Sequence, residues 1–265
     1  MAFKDLLVHI DNSKQCAARL ALAVSLAREC EAQLTGIYVV THAQYAPQSE
    51  SAQLREAQAQ ELFLRQTAEA GIVAHWLLAD WGTVGVGVAE ILNYHAHCKD
   101  LVIIGQSDAH GREGEMPTDL PERVIAGSGR PVLVVPYVGS FSSVGRKVVV
   151  AWKNGRESAR AVNDAMPFLL TAKRVSVVAI ESSQEHPTGK SLTADICSHL
   201  ERHKVPFRQE TLVTGEIPVS ALLMDYAWET GCDLLVVGVP RLAQNVGPVA
   251  RGILDQMTVP VLMSY

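Results

Sequence analysis

Few side chains in this chain are of a type and spacing that could do chemistry. His9 and Asp11 lie two apart at the end of an apolar run. On a strand such a pair shares one face, so it could act as an acid and a base, or simply be a histidine held by a local hydrogen bond. The polar turn Asp11-Asn12-Ser13 follows that run, and Lys153-Asn154-Gly155 follows a similar one later. His95, His97 and Cys98 form one group of metal-ligand types, and Cys197, His199 and His203 form another. The i, i+4 histidines of the second group share a helix face. Structural zinc needs four tightly spaced ligands, which neither group supplies alone, and histidines near a helix end are ordinary; no metal is assigned. Ser13 and Ser107 have the hydroxyl of a nucleophile, yet no G-x-S-x-G turn exists to expose one. No G-x-x-x-x-G-K-[ST] loop occurs, and Gly82, Gly85 and Gly87 lack the glycine order of a dinucleotide site. Trp152 ends a predicted strand, where it could stack on an adenine or pack into the protein. No catalytic residue is assigned on this basis.

The elements that position these residues are written twice. Residues 6–20, LLVHIDNSKQCAARL, align with residues 148–162, VVVAWKNGRESARAV, at an offset of 142. Asp100–Gly105 (DLVIIG) recurs as Asp233–Gly238 (DLLVVG), and Arg130–Val135 recurs around Val259–Met263. Two copies of about 130 residues each suit two domains rather than a solenoid. The expected division is residues 1–137, a Gly/Ser-rich linker at 138–145, and residues 146–265.

In the first copy the pattern predicts strands at Asp5–Ile10, Leu34–Val40, Ile72–Ala79, Leu101–Gly105 and Pro131–Val135. Between them it predicts a helix with Ala17, Leu20, Ala21, Val24 and Ala27 on its buried face. Further helices are expected at Ser51–Ala70, a solvated one capped by Gly71, at Val84–His97, and at Pro121–Ala126 with Asp119 as N-cap. The second copy reads Lys147–Ala151, Ser158–Leu170, Arg174–Ile180, Ser191–His203, Phe207–Val213, Val219–Glu229, Leu234–Gly238, Val249–Met257 and Val259–Met263. Apolar strands alternating with helices predict α/β domains, each a doubly wound, five-stranded parallel sheet with helices on both faces.

The chain has 265 residues, 48% of them hydrophobic, with 23 basic against 28 acidic side chains. That fills real cores, while a net charge of −5 argues against nucleic acid as a partner. No apolar run reaches the roughly 18–20 residues of a membrane span. The start, Met1-Ala2-Phe3-Lys4-Asp5, lacks the pattern of a secretory signal. Five scattered cysteines without a C-x-x-C pair read as reduced thiols. The expectation is a cytoplasmic protein without a membrane partner.

An open α/β sheet binds ligands beyond the carboxyl ends of its strands, where the winding reverses. There the chain resembles the universal stress protein (UspA) family. The resemblance rests on a first strand ending near D-G-S, a late D-L-[IV]-V-[IV]-G strand, a glycine-bearing loop, a short helix and a closing P-V-L-V-V. Two copies resemble the family's tandem members. The resemblance implies strand order 3-2-1-4-5, pairing of the two units through their last strands, and a role in stress survival rather than metabolism. Some members bind ATP through a loop G-x2-G-x9-G-[ST]; others lack the loop and do not.

Carried onto this chain, the motif is incomplete twice. Copy one keeps Asp11 and Gly105, but Asp108 stands at the second glycine and Thr118-Asp119 at the final pair. Residues 106–119 hold Asp108, Glu113, Glu115 and Asp119 against Arg112, a net −3, where phosphate wants bare backbone N–H groups. Copy two keeps Gly238, with Arg241 at the second glycine, Gly247-Pro248 at the final pair, and Lys153 in place of the first-strand acid. Residues 239–251 carry a net +2. The candidate nucleotide or anion residues are therefore Lys153, Gly238, Arg241 and Gly247 in copy two, and Asp11 and Gly105 in a degenerate copy one. The expected function is non-enzymatic, acting through protein partners not identified by the sequence, with ATP or another adenine nucleotide as candidate ligand. The alternative is an ATP-binding stress protein with slow hydrolysis. A further homodimer is compatible with this plan.

Overall fold

The computed structural model describes residues 2–40, 50–80, 86–107, 117–182, 193–240 and 246–265. The chain divides into two compact units, Ala2–Ser142 and Ser143–Tyr265. The first contains β1 (Asp5–Ile10), α1 (Cys16–Cys30), β2 (Gln33–Val40), α2 (Glu50–Ala70), β3 (Ala74–Asp80), α3 (Val88–Ala96), β4 (Leu101–Gly105), α4 (Leu120–Gly127) and β5 (Val132–Val135). Its strands are all parallel, in the order β3-β2-β1-β4-β5. Central β1 and β4 are largely apolar because helices cover both faces, and Leu6, Leu7, Val8 and Leu101–Ile104 are essentially inaccessible. Chain direction across the sheet reverses between β1 and β4, so the crevice between their carboxyl ends is where the fold offers a site.

The second unit contains β6 (Lys147–Trp152), α5 (Arg156–Leu169), β7 (Arg174–Ser182), α6 (Ala194–Arg202), β8 (Phe207–Thr214), α7 (Val219–Thr230), β9 (Leu234–Gly238), α8 (Pro248–Gln256) and β10 (Val261–Ser264). Its parallel order is β8-β7-β6-β9-β10, which puts the corresponding crevice between β6 and β9. Each unit is thus an α/β layer structure with strands in the order 3-2-1-4-5.

Several local expectations change. The buried face of α1 keeps Leu20, Val24 and Ala27 of the predicted one but is rotated about them: Ala17 and Ala21 face solvent, whereas Cys16, Arg19 and Ala23 face inward. An alanine-rich helix leaves its orientation poorly marked, since alanine is at home on either side. Asp119 stands at the N-cap of α4 but makes no capping hydrogen bond. Its carboxylate lies 3.8 Å from Arg123 one turn on. Gly71 ends α2 with a φ of +65°, the left-handed conformation a C-terminal cap requires. Among its described side chains the solvated α2 buries a narrow line of Ala59, Phe63 and Thr67, spaced four apart as one helix face demands.

Candidate functional site

In the first unit the crevice is built from the ends of β1 and β4 and the first turns of α1. Asp11 follows β1 directly, and the turn behind it closes on its carboxylate. Ser13 donates to Asp11 Oδ1 twice, from its backbone N–H at 2.9 Å and its hydroxyl at 2.5 Å. Asn12 reaches across to β2, its Nδ2 donating to the Tyr38 hydroxyl at 2.7 Å.

The other carboxylate oxygen faces a residue that the sequence had not marked. Arg19, 2% exposed, comes in from α1 and places Nη2 at 2.8 Å from Asp11 Oδ2, an ionic contact too oblique for an aligned hydrogen bond. Its Nε donates to the His9 carbonyl at 2.8 Å. Its Nη1 lies so close to Gly105 that a Cβ there would overlap it. Asp11 and Gly105 are thus brought together, with a guanidinium between them. His9 is buried beside them, its Nδ1 3.8 Å from Asp11 Oδ2 and without a hydrogen-bond partner.

Protonation follows from this packing. Burial alone would raise the Asp11 carboxyl, but Arg19, His9 and the two Ser13 hydrogen bonds outweigh it and hold it at about 2. Burial lowers the His9 imidazole to about 4, with Asp11 opposing and Arg19 assisting. At neutral pH the cluster is Asp11⁻, Arg19⁺ and neutral His9. The Cys16 thiol is pushed up, chiefly by burial, so it is no nucleophile. The Ser13 hydroxyl donates to the Asp11 carboxylate, which at about 2 is a weak base.

The second unit builds its crevice differently. Lys153 stands in the register of Asp11 and is exposed, with its backbone N–H donating to Ser158 Oγ at 3.3 Å. Ala161 stands in the register of Arg19 and is buried, so α5 sends no guanidinium in from that position. Gly238 ends β9 beside β6, as its partner register Ala151↔Val237 requires. A side chain at Gly238 would strike the backbone of Glu157 and Ser158. Gly247 is the N-cap of α8, extended at ψ 165°, and Pro248 leaves Val249 and Ala250 as the first-turn N–H donors. Lys153, Gly238 and Gly247 therefore lie on elements at the carboxyl end of one sheet. Arg241 lies outside the described residues, as do Asp108, Arg112, Glu113, Glu115, Gly82 and Gly85. Trp152 is buried, which fits its packing role.

Of the metal-type groups, Cys197 is buried with its thiol 3.8 Å from Gln209 Oε1, while the His199 and His203 rings are 4.6 Å apart. Among the described residues no three such side chains converge. Arg19 could have been found from sequence by one signal, the mismatch with Ala161 in the aligned repeat.

The comparisons with known proteins fit this fold. The structure is similar to that of a universal stress protein from Archaeoglobus fulgidus DSM 4304, with 13% identity, a TM-score of 0.73, and coverage of 98% of this chain and 96% of that one. A protein from Pseudomonas aeruginosa UCBPP-PA14 matches at 18% identity and a TM-score of 0.64, covering 99% and 93%. The universal stress protein from Archaeoglobus fulgidus in complex with dAMP matches at 15% identity and a TM-score of 0.39, over 51% of this chain and 98% of that one. No match is found among the curated proteins. The model of the Universal stress protein family matches residues 2–136, the span that carries Asp11, Gly105 and every element of the first unit, and on that match this chain belongs to the universal stress protein family.

Proposed function

We propose that this chain is a tandem universal stress protein that acts in the cytoplasm through protein contacts rather than catalysis, with the second unit holding a phosphate-bearing ligand as its signal. The two units pair through β5 and β10, which would otherwise be apolar sheet edges open to aggregation, and a homodimer is the next level of assembly. No helix among the described residues is long and apolar enough to cross a membrane.

One observation carries the reading: among the described residues the two crevices differ in charge at the matching strand end. In the first, the carboxylate that follows β1 is already neutralised by Arg19 at 2.8 Å. In the second, Lys153 is exposed at the same register, and α8 begins at the carboxyl end of the same sheet, where a helix N-terminus favours an anion. The ligand class is inorganic phosphate or an adenine nucleotide such as ATP. Slow ATP hydrolysis is the second reading; it calls for a complete phosphate loop, and Pro248 removes one N–H donor from it.

Calorimetric titration of Mg-ATP and of inorganic phosphate tests this with wild type, Lys153→Asp and Arg241→Ala. Charge reversal at Lys153 is expected to weaken binding at least about tenfold, the equivalent of 1.4 kcal/mol. Equal affinities in all three proteins would overturn the assignment of the ligand to the second unit.

A further inference from the structure

We infer that the crevice of the first unit is a guanidinium-binding site that the chain fills with its own Arg19. The inference rests on the reading above, in which the first unit takes no nucleotide, and supplies the reason.

Four observations converge on it. The guanidinium is held on three sides: Nε donates to the His9 carbonyl, Nη2 faces the Asp11 carboxylate, and Nη1 rests against the bare Cα of Gly105. The position is the β1/β4 crevice itself, the place where this architecture receives a ligand. Gly105 has no positive φ, so glycine is not needed there for backbone conformation; what it provides is room for Nη1. Finally, the fold does not require the arginine. The second unit has Ala161 in the same register and forms the same five-stranded parallel order.

The last point matters because a buried ion pair is an expensive way to fill space. Desolvating both ions often cancels their attraction, and an apolar replacement is commonly as stable. Asp11 and Gly105 fit the family's nucleotide motif by residue type, but in this chain both serve Arg19. Asp11 gives Oδ1 to the two Ser13 hydrogen bonds and sets Oδ2 against the guanidinium, so its charge is already balanced within the chain. The cation bound here must reach the His9 carbonyl, the Asp11 carboxylate and Gly105 with more than one nitrogen, as the Arg19 fork does. That describes guanidinium and amidinium ions and excludes ammonium ions.

The experiment empties the site and refills it. Arg19→Ala copies the residue of the second unit and is expected to lower Tm by about 5 °C or more, since Asp11 is left buried and unpaired. Methylguanidinium chloride at millimolar concentration should raise the Tm of Arg19→Ala saturably. It should leave wild type and the Asp11→Asn/Arg19→Ala double variant unmoved, and methylammonium chloride should do nothing. Gly105→Ala should lower Tm in wild type and cost much less in the Arg19→Ala background, the non-additivity expected of touching residues. Should Arg19→Ala fail to fold, wild type with ¹⁵N-labelled arginine supplies the reading. One Nε–H protected from solvent exchange, lost in Arg19→Lys and shifted in Asp11→Asn, supports the site, and its absence overturns it. Equal cost of Gly105→Ala in both backgrounds, or rescue by methylammonium as well, also overturns it. If methylguanidinium ignores Arg19→Ala while Lys153→Asp abolishes phosphate binding, this inference fails and the functional reading stands. If ATP binds wild type and Asp11→Asn removes that binding, the functional reading fails instead.

Discussion

His9 is where residue chemistry is most exposed to pH. It is buried and neutral, with an imidazole lowered from 6.5 to about 4. In the unfolded chain the same ring takes a proton near 6.5. Between those values protons bind the unfolded chain more than the folded one, so stability falls as pH falls from 6.5 toward 4, by up to about 3 kcal/mol. Asp11 adds a second, lower limb. Its carboxyl is depressed from 3.8 to about 2, so the stability it contributes is present above 3.8 and lost as pH falls through that lower window. Urea unfolding across the range from about pH 2 to pH 8 should show both limbs. His9→Gln should flatten the upper limb and leave the lower one in place. A wild-type profile level from pH 7 to 4.5 would contradict the neutral, buried state of this ring.

Among elements, the helix pairs that flank each sheet meet through glycine. In the first unit a Cβ on Gly127 of α4 would overlap the Asn93 side chain of α3. In the second, a Cβ on Gly252 of α8 would overlap Ser220 of α7. Close helix approach needs a missing side chain on one partner, and here each pair supplies it from the shorter or equal helix next to the crevice. Gly252→Val is expected to cost about 1–3 kcal/mol by overpacking, read as a lower urea midpoint with an unchanged slope. Ser220→Ala should restore part of that loss when combined with it, because the overlap includes the Ser220 Oγ. Full additivity would mean that the two helices do not meet there. Much at this scale was legible beforehand. β1, β4 and β9 begin and end as their apolar runs do, because a strand buried on both faces is mostly apolar, His9 in β1 being the polar exception. Helix starts were less legible: α3 begins at Val88 rather than Val84 and α5 at Arg156 rather than Ser158. First-turn positions accept many residue types, so little in the sequence fixes them.

For the whole molecule, the proposed pairing of the two units through β5 and β10 has a direct consequence. Tyr137, Val138, Gly139 and Ser140 are exposed, and Gly139 has a φ of +112°, so this segment offers a protease an accessible site. Limited proteolysis should cut there first. If the last strands pair, the nicked protein should elute as one species on size-exclusion chromatography and separate only in denaturant. Two fragments eluting apart under native conditions would rule the pairing out.

The repeat at an offset of 142, the strand–helix alternation and the incomplete glycine loops were all determined by the sequence alone, since each depends only on residue type and spacing along the chain. Asp11, Gly105, Lys153 and Gly238 were likewise marked as residues of interest before any coordinate. What surrounds each of them was decided by tertiary structure. Which way an alanine-rich α1 turns is set by packing against the sheet, and that rotation carries Arg19 inward to Asp11 and Gly105. A charged residue on a helix ordinarily points to water, so its burial is a property of the assembled crevice and not of its neighbours in sequence.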